Sequence, residues 1–378
     1  MPTTIAPAGA GSRHSAPPAP PQRHVAGLDG LRGMAILLVM LVHAGMPGLE
    51  LGWLGVDLFF VISGFLITTL LVGEARRSGG VSLARFWGRR FLRLAPAYWA
   101  CVGFVTGSIY LARWGWTGTA RGWGPAGYVA SLWLYFTNYL PMAGIWEHQA
   151  VTGPYWSLAI EEQFYLIWPL VFVGLGARAR RAEPAAWALV AAIFAAGFFV
   201  DPSALHFRIY TRGLGIMLGC AVALLAARSG PFTRLLRSGG ARVGIAAGCL
   251  AVFGASSVLA GGLKLDERQL HLFVLPAFCA AASLLVAMLW YGPEDRIASA
   301  LAWRPLAYVG KISYGIYLYH EFARHLTWTV LLPGLEGWPR PARYGLRVAA
   351  FLAISLGLAS ISYRVLERPF LALKGRLR

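Results

Sequence analysis

Three ionisable residues, Asp29, Arg32 and His43, interrupt the first long apolar run of the chain, residues 27–45. On an α-helix each residue advances by about 100°, so Arg32 and His43 would lie about 20° apart around the axis and about 16 Å apart along it. Asp29 falls about 40° from His43. Because imidazole takes up and returns a proton near neutral pH, His43 is the best candidate for a general base. The spacing therefore predicts one polar stripe along one helix.

A simpler interpretation fits part of this stripe. If the helix begins at a membrane interface, Asp29 and Arg32 would anchor it among lipid head groups, and His43 would be a hydrated residue at its far end. Ionisable groups inside a membrane span are costly and usually functional. Both interpretations stay open for Asp29 and Arg32, whereas the position of His43 on the same stripe favours a functional path.

Carboxylates recur in two later apolar segments. Asp57 stands near the start of GVDLFFVISGFLIT, close to where the first run ends, and could orient the imidazole of His43 or balance its charge. It could equally be a carboxylate that a helix N-terminus favours. Glu161 lies inside residues 154–169, PYWSLAIEEQFYLIWP, and shares a helical face with Ser157. It is predicted to be a second catalytic carboxylate or a structural one bonded to Arg or Trp.

Basic residues gather in RFWGRRFLRLAPAYW, residues 85–99. Arg90 and Arg93 are three residues apart and so share a helical face, and Tyr98 follows. Paired guanidiniums would bind a polyphosphate such as that of coenzyme A. They would also serve as a membrane anchor that binds lipid head groups.

Near the C-terminus, KISYGIYLYH places Ser313, Tyr317 and His320 on one helical face, and Glu367 precedes Pro369. Aromatic stripes of this kind more often belong to the packing between helices than to a catalytic centre. These residues are therefore predicted to line or support a site. The four cysteines lie in apolar segments without paired spacing and are predicted to be buried. No metal-binding motif is present, and the sequence predicts no metal site.

The composition predicts an all-α polytopic membrane protein. The chain has 378 residues, of which 57% are hydrophobic and only 13% charged, with a mean hydropathy of +0.57. A net charge of +18 would suggest nucleic acid in a soluble protein. Here most Arg and Lys residues fall between the apolar runs on one predicted side, as in cytoplasmic loops. We therefore predict a multi-pass protein of the cell membrane, surrounded by a lipid bilayer, with no nucleic-acid partner.

About ten transmembrane helices follow from this pattern, with both termini cytoplasmic. They are placed at about 28–47, 51–73, 94–112, 155–176, 185–201, 205–226, 243–261, 270–291, 306–323 and 344–365. A span at 131–140 would reverse the charge bias, so a re-entrant or interfacial segment is predicted near 120–150. A disordered cytoplasmic tail (1–25), one transmembrane domain (26–372) and a basic C-terminal tail (373–378) complete the prediction.

Six segments, in order, resemble the acyltransferase family 3 of membrane proteins. They are GLDGLRGMAILLVMLVHA, GVDLFFVISGFLIT, RRFLRLAPAYW, YWSLAIEEQFYLIWP, GKISYGIYLYH and VLERPF, which together run from residue 27 to about 370. The family's arginine with a histidine eleven positions later falls on Arg32 and His43, and its paired arginines fall on Arg90 and Arg93. Its tryptophan-serine-leucine and glutamate motif falls on Trp156, Ser157, Leu158 and Glu161.

This resemblance implies a membrane O-acyltransferase. The family O-acetylates bacterial lipopolysaccharide, peptidoglycan, exopolysaccharides and Nod factors, and it includes acyltransferases that modify macrolides. It implies acyl-CoA, most simply acetyl-CoA, as co-substrate, no permanently bound cofactor, and a hydroxyl of a carbohydrate or of a glycosylated or lipid-linked molecule as acceptor. A macrolide or other natural product is the alternative acceptor. A transporter or flippase for such molecules is the alternative from another class, since it too would use intramembrane ionisable groups.

The corresponding hypothesis is direct acyl transfer. His43 would act as general base, and Asp57 or Glu161 would orient it. Coenzyme A would be bound by Arg32, Arg90, Arg93 and Tyr98. The remaining polar and aromatic candidates would line the path or support these groups: Asp29, Trp156, Ser157, Ser313, Tyr317, His320 and Glu367.

Overall fold

The computed structural model describes residues 25–112, 125–139, 152–263, 265–331 and 337–373, and these segments are almost entirely helical. The predicted all-α class is confirmed for them, since they contain no β-strand. The main helices are α1 (Ala26–His43), α2 (Leu54–Ser78), α3 (Leu83–Gly107), α4 (Pro125–Trp133), α5 (Tyr155–Gly174), α6 (Ala179–Phe199), α7 (Leu214–Arg228), α8 (Gly230–Arg237), α9 (Gly239–Leu263), α10 (Leu275–Tyr291), α11 (Arg296–Leu301), α12 (Arg304–Lys311), α13 (Ser313–His325), α14 (Arg340–Ser362) and α15 (Arg368–Leu373). Residues 1–24 of the predicted N-terminal tail and residues 374–378 lie outside the described segments.

Short elements connect these helices. They are Glu50–Trp53, Ser108–Ala112, Thr137–Tyr139, Pro202–Leu205, Ile209–Arg212, Glu267–Gln269, Leu270–Val274, Leu326–Leu331 and Tyr363–Glu367. Glycine helps to end two of the long helices. Gly45 follows α1 with a φ of 71°, and Gly79 caps α2 with a φ of 74°, a left-handed conformation that glycine adopts without strain.

Six helical spans in the described part of the chain are long and apolar enough to cross a membrane, or seven if the bent pair α7–α8 counts as one. The prediction of about ten is not confirmed. The predicted third and fourth spans correspond to α3 and α5, whose polar and ionisable residues reduce their hydropathy. The predicted ninth span is interrupted at Ile312, which separates α12 from α13.

The segment predicted to be re-entrant or interfacial is only partly described. α4 has nine residues, too few to cross a bilayer as a helix. Its Tyr128 and Leu132 side chains are buried, at 2% and 0% exposure, so this helix packs into the protein. Residues 113–124 and 140–151 lie outside the described segments.

α1 lies at the centre of the packing because glycines let other backbones approach it closely. It contacts α2, α11, α12 and α13. Gly30 faces the carbonyl of Leu301, and Gly310 of α12 faces the carbonyl of Asp29, each so closely that a Cβ atom would collide with it. These contacts fix α1 against the short helices α11 and α12, and thereby fix the position of its polar stripe.

Replacing Gly310 by alanine is therefore expected to destabilise the protein. The added methyl group would overlap the Asp29 carbonyl, and overpacking of this kind typically costs about 1–3 kcal/mol. Gly357→Ala in α14 is the matched control, since nothing lies within 4 Å of its added methyl group. Thermal unfolding in detergent would measure the difference. Equal melting temperatures for the two variants would contradict the close packing of α1 on α12.

Candidate functional site

The two ends of the predicted polar stripe on α1 both contact α13. Arg32 Nη2 donates a hydrogen bond to the Ser313 Oγ at 3.1 Å. Eleven residues later, His43 Nε2 lies 3.6 Å from Glu321 Oε1, and the His43 and His320 ring centroids are 4.9 Å apart. The structure thus aligns Arg32 and His43 along one neighbouring helix, as helical spacing requires.

His43, His320 and Glu321 form a compact group, here called the His–Glu cluster. His43 Nδ1 donates to the Val39 carbonyl at 2.7 Å, which leaves Nε2 directed at Glu321. His320 Nε2 lies 3.7 Å from the same carboxylate oxygen, Oε1. Arg324 Nε donates to the other oxygen, Oε2, at 2.7 Å. Glu321 is therefore held so that one oxygen faces both imidazoles.

Glu321 was missed by the sequence analysis, which assigned the partner of His43 to Asp57 or Glu161. Asp57 instead pairs with Arg212, and Glu161 accepts hydrogen bonds from Ser63 and Tyr165. The sequence contained a usable signal, because Glu321 directly follows His320 in an apolar helix and has Arg324 three residues later. Asp57 is close to His43 along the chain, whereas Glu321 is close to it only in the folded protein, so proximity in sequence does not identify Glu321 as the partner.

A cavity of about 190 Å³, here called the inner cavity, collects many of the predicted residues. Glu161 lies on its wall, where it accepts a hydrogen bond from Ser63 at 2.8 Å and one from Tyr165 at 3.4 Å. The hydroxyls of Ser157 and Tyr317 are 2.6 Å apart on the same wall. Its other predicted lining residues are Arg32, Arg90, Arg93 and Ser313.

The inner cavity approaches the His–Glu cluster through Tyr317. The Tyr317 ring centroid lies 5.5 Å from that of His320, and His320 Nδ1 donates to the Tyr317 carbonyl at 2.8 Å. Tyr317 therefore separates the cavity from the imidazole of His320, which in turn contacts His43.

A second cavity of about 590 Å³, here called the basic cavity, lies at the Arg32 end of α1. Arg32, Arg93 and Tyr314 line both cavities, so the two adjoin at these residues. The basic cavity is lined by four cationic side chains and two carboxylates: Arg32, Arg93, Arg304, Lys311, Asp29 and Glu367. This excess of positive charge suits a ligand with several negative charges.

The two predicted phosphate-binding arginines have different positions. Arg93 lines both cavities, whereas Arg90 lines the inner one, with its guanidinium 5.7 Å from the centroid of the Tyr165 ring. Tyr98 is part of the packing instead. It is fully buried, donates to the Leu132 carbonyl at 2.8 Å and stacks on Tyr135. Its assignment to the donor site therefore finds no geometric support.

Asp57 and Trp156 belong to a separate buried group around Arg212. Arg212 Nη2 donates to Asp57 Oδ2 at 2.7 Å, and the two side chains are 2% and 0% exposed. The same guanidinium lies 4.5 Å from the Trp53 ring centroid and 5.8 Å from that of Trp156. Arg212 escaped the sequence analysis although it was a charged residue inside a predicted span, which was the available signal.

Comparisons with known proteins assign this chain to a family. The chain is 30% identical to the peptidoglycan O-acetyltransferase OatA of Listeria monocytogenes, over 92% of this chain and 56% of the relative. It is 29% identical to the putative peptidoglycan O-acetyltransferase YrhL of Bacillus subtilis, over 92% of this chain and 55% of the relative. It is also 29% identical to the O-acetyltransferase OatA of Staphylococcus aureus, over 79% of this chain and 50% of the relative.

The chain thus spans about half the length of these curated relatives. No solved structure matches it. The family model described as the acyltransferase domain matches residues 25–361, which contain α1, both cavities' arginines and the His–Glu cluster. The extent of this match confirms the resemblance seen in the six segments, and the chain belongs to the acyltransferase domain family.

Proposed function

We propose that this protein transfers an acyl group from acyl-CoA, most simply acetyl-CoA, to a hydroxyl of a glycan, with His43 as general base. The observation that carries the proposal is the order in which the parts of the site follow one another along α1. A basic cavity adjoins an inner cavity at Arg32 and Arg93, and the inner cavity approaches the His–Glu cluster through Tyr317. A ligand with an anionic head and a reactive tail would fit this order, with its head in the basic cavity and its tail directed through the inner cavity towards the His–Glu cluster.

The charges of the basic cavity support coenzyme A as the head of the donor. Its phosphates would be held by Arg93, Arg304 and Lys311, since guanidinium and ammonium groups both bind phosphate well. The rise of α1 from Arg32 to His43 is about 16 Å. An extended pantetheine arm would cover that length and carry the thioester past the inner cavity towards His43.

The reaction would proceed by direct transfer. His43 Nε2 takes the proton of the acceptor hydroxyl while the hydroxyl oxygen attacks the thioester carbonyl carbon. The carbon–sulfur bond then breaks, and the imidazolium of His43 gives this proton to the leaving thiolate of coenzyme A. Glu321, 3.6 Å from His43 Nε2, stabilises that imidazolium between the two steps. Asp57, which pairs with Arg212, has no part in this scheme.

The relatives named above favour a glycan acceptor over a macrolide, because two of them are named for peptidoglycan. A muramoyl or other sugar hydroxyl would approach from the His43 end of α1. By the charge asymmetry of the sequence, that end faces away from the cytoplasm, and the basic cavity faces the cytoplasmic supply of acyl-CoA.

Arg93→Ala is expected to weaken acetyl-CoA binding by about 10-fold to 100-fold. A hydrogen bond to a charged group contributes about 1.5–3 kcal/mol, and 1.4 kcal/mol corresponds to a factor of ten. Calorimetric titration of the purified protein with acetyl-CoA would measure the dissociation constant. Release of free thiol in the presence of peptidoglycan fragments would measure turnover.

Arg89→Ala is the matched control, since Arg89 is one turn away on α3 and pairs with Glu74 at 2.9 Å. Removing it should leave the dissociation constant close to the wild-type value. If Arg93→Ala bound acetyl-CoA as tightly as Arg89→Ala, the basic cavity would not be the donor site. If the wild type moved a labelled glycolipid across vesicles without releasing thiol, the flippase alternative would replace the enzyme.

A further inference from the structure

The His–Glu cluster brings three hydrogen-bond acceptors together without a donor. Both imidazoles donate from Nδ1 to backbone carbonyls, Val39 for His43 and Tyr317 for His320. Each neutral ring therefore presents a lone pair at Nε2, and both face Glu321 Oε1 at 3.6 and 3.7 Å. His320 Nε2 and Glu321 Oε1 are buried and have no hydrogen-bond partner. Such unpaired buried groups are costly unless a proton or a cation joins them.

We propose that the His–Glu cluster is a binding site for one Zn²⁺ ion, with His43 Nε2, His320 Nε2 and Glu321 Oε1 as ligands. All three atoms lie within 4.8 Å of one another. Tetrahedral zinc with ligand distances of about 2.0–2.1 Å separates neighbouring ligand atoms by about 3.3 Å. The two nitrogen–oxygen distances, 3.6 and 3.7 Å, would need to shorten by a few tenths of an ångström to reach that value. The nitrogen–nitrogen distance is at most 4.8 Å and would need to shorten by up to about 1.5 Å.

The surroundings of the ligands favour zinc over calcium or magnesium. Two imidazoles with one carboxylate are a borderline-soft donor set, whereas calcium and magnesium prefer oxygen ligands alone. Arg324 donates to the other carboxylate oxygen, Oε2, and so holds Oε1 towards the two imidazoles, as an outer-shell partner does. The two Nδ1–carbonyl hydrogen bonds orient both rings, as outer-shell partners do in zinc sites.

The site is also accessible, and it keeps a free coordination position. The His43 side chain is 22% exposed, whereas His320 and Glu321 are almost fully buried. An ion can therefore enter past His43 and keep water as its fourth ligand. Zinc on His43 Nε2 would occupy the lone pair that takes the acceptor proton. If the proposed function holds, zinc binding must inhibit acyl transfer.

Cobalt(II) is the direct probe, because tetrahedral Co²⁺ absorbs visible light and replaces Zn²⁺ in such sites. Protein purified without a histidine tag is expected to bind about one Co²⁺ per chain and to lose the absorption when Zn²⁺ is added. Loss of an outer-shell partner typically weakens metal binding by about 10–100-fold. His320→Ala and Glu321→Gln each remove a ligand and should weaken Co²⁺ binding by more than that. His271→Ala, which removes a buried histidine on another element, should bind Co²⁺ as the wild type does.

The outcomes separate the metal site from the proposed reaction. If the wild type does not bind Co²⁺, there is no zinc site, whether or not the protein transfers acyl groups. The same conclusion follows if His320→Ala and Glu321→Gln bind Co²⁺ as strongly as the wild type does. Wild-type turnover that stays constant while Co²⁺ is bound would overturn the inhibitory role. Inhibition by Zn²⁺ that EDTA reverses, together with the loss of Co²⁺ binding in both variants, is the expected result. Failure of the reaction itself would instead appear as absence of thiol release in metal-free wild type.

Discussion

The His43→Ala variant is expected to lose acyl transfer while it keeps its fold and its affinity for acetyl-CoA. A positioned general base contributes about 10²–10⁴-fold to a rate, and His43 is the imidazole of the cluster that is open to an incoming acceptor. The basic cavity lies at the opposite end of α1, about 16 Å away, so the substitution should not reach the phosphates of the donor. The expected pattern is a large fall in kcat with an unchanged dissociation constant for acetyl-CoA.

Glu321→Gln provides the graded comparison for this variant. It preserves the shape of the side chain but removes the charge beside the imidazolium, so turnover should fall by less than in His43→Ala. Thermal unfolding in detergent controls for folding in both cases. Turnover of His43→Ala close to that of the wild type, in correctly folded protein, would exclude His43 as the base. A higher dissociation constant for acetyl-CoA with an unchanged kcat would instead make His43 a donor-binding residue.

Helix periodicity was enough to predict that Arg32 and His43 lie on one line, because both belong to one helix and the period of a helix is fixed. Periodicity could not identify what faces that line. Arg32 contacts Ser313 and His43 contacts Glu321, nearly three hundred residues later. Such contacts depend on helix packing, here on the close approach that glycines permit between α1 and its neighbours.

The same limit explains the mistaken partners. Asp57 was assigned to His43 because the two are close along the chain, but Arg212, 155 residues away, occupies its carboxylate. Fewer helices of the described residues pass as spans by length and hydropathy than were predicted, for a related reason. The apolar runs in α3 and α5 are interrupted by side chains such as Arg90 and Glu161, which line the inner cavity. The polar side chains that α3 and α5 contribute to the inner cavity also reduce the hydropathy of these helices.

Asp57→Ala is expected to destabilise the protein strongly rather than to impair a catalytic step. The substitution would leave the Arg212 guanidinium, 2% exposed, without its anionic partner. Breaking a buried ion pair on one side typically costs about 3–5 kcal/mol, because the remaining charge stays desolvated. The pair is already incompletely satisfied, since Asp57 Oδ1 and Arg212 Nε have no hydrogen-bond partner. Thermal or denaturant unfolding in detergent would measure the loss.

The double exchange Asp57→Leu with Arg212→Met decides between the two roles of Asp57. Replacing both charges by apolar side chains removes the uncompensated ion and is often neutral for stability, so stability and acyl transfer should both return. Arg228→Met is the matched control, since it breaks a pair with Glu183 in which Arg228 is 37% exposed, and exposed pairs contribute about 1 kcal/mol or less. If the double exchange were stable but inactive, Asp57 would belong to the catalytic machinery after all. The sequence-based assignment would then be correct for a reason other than contact with His43.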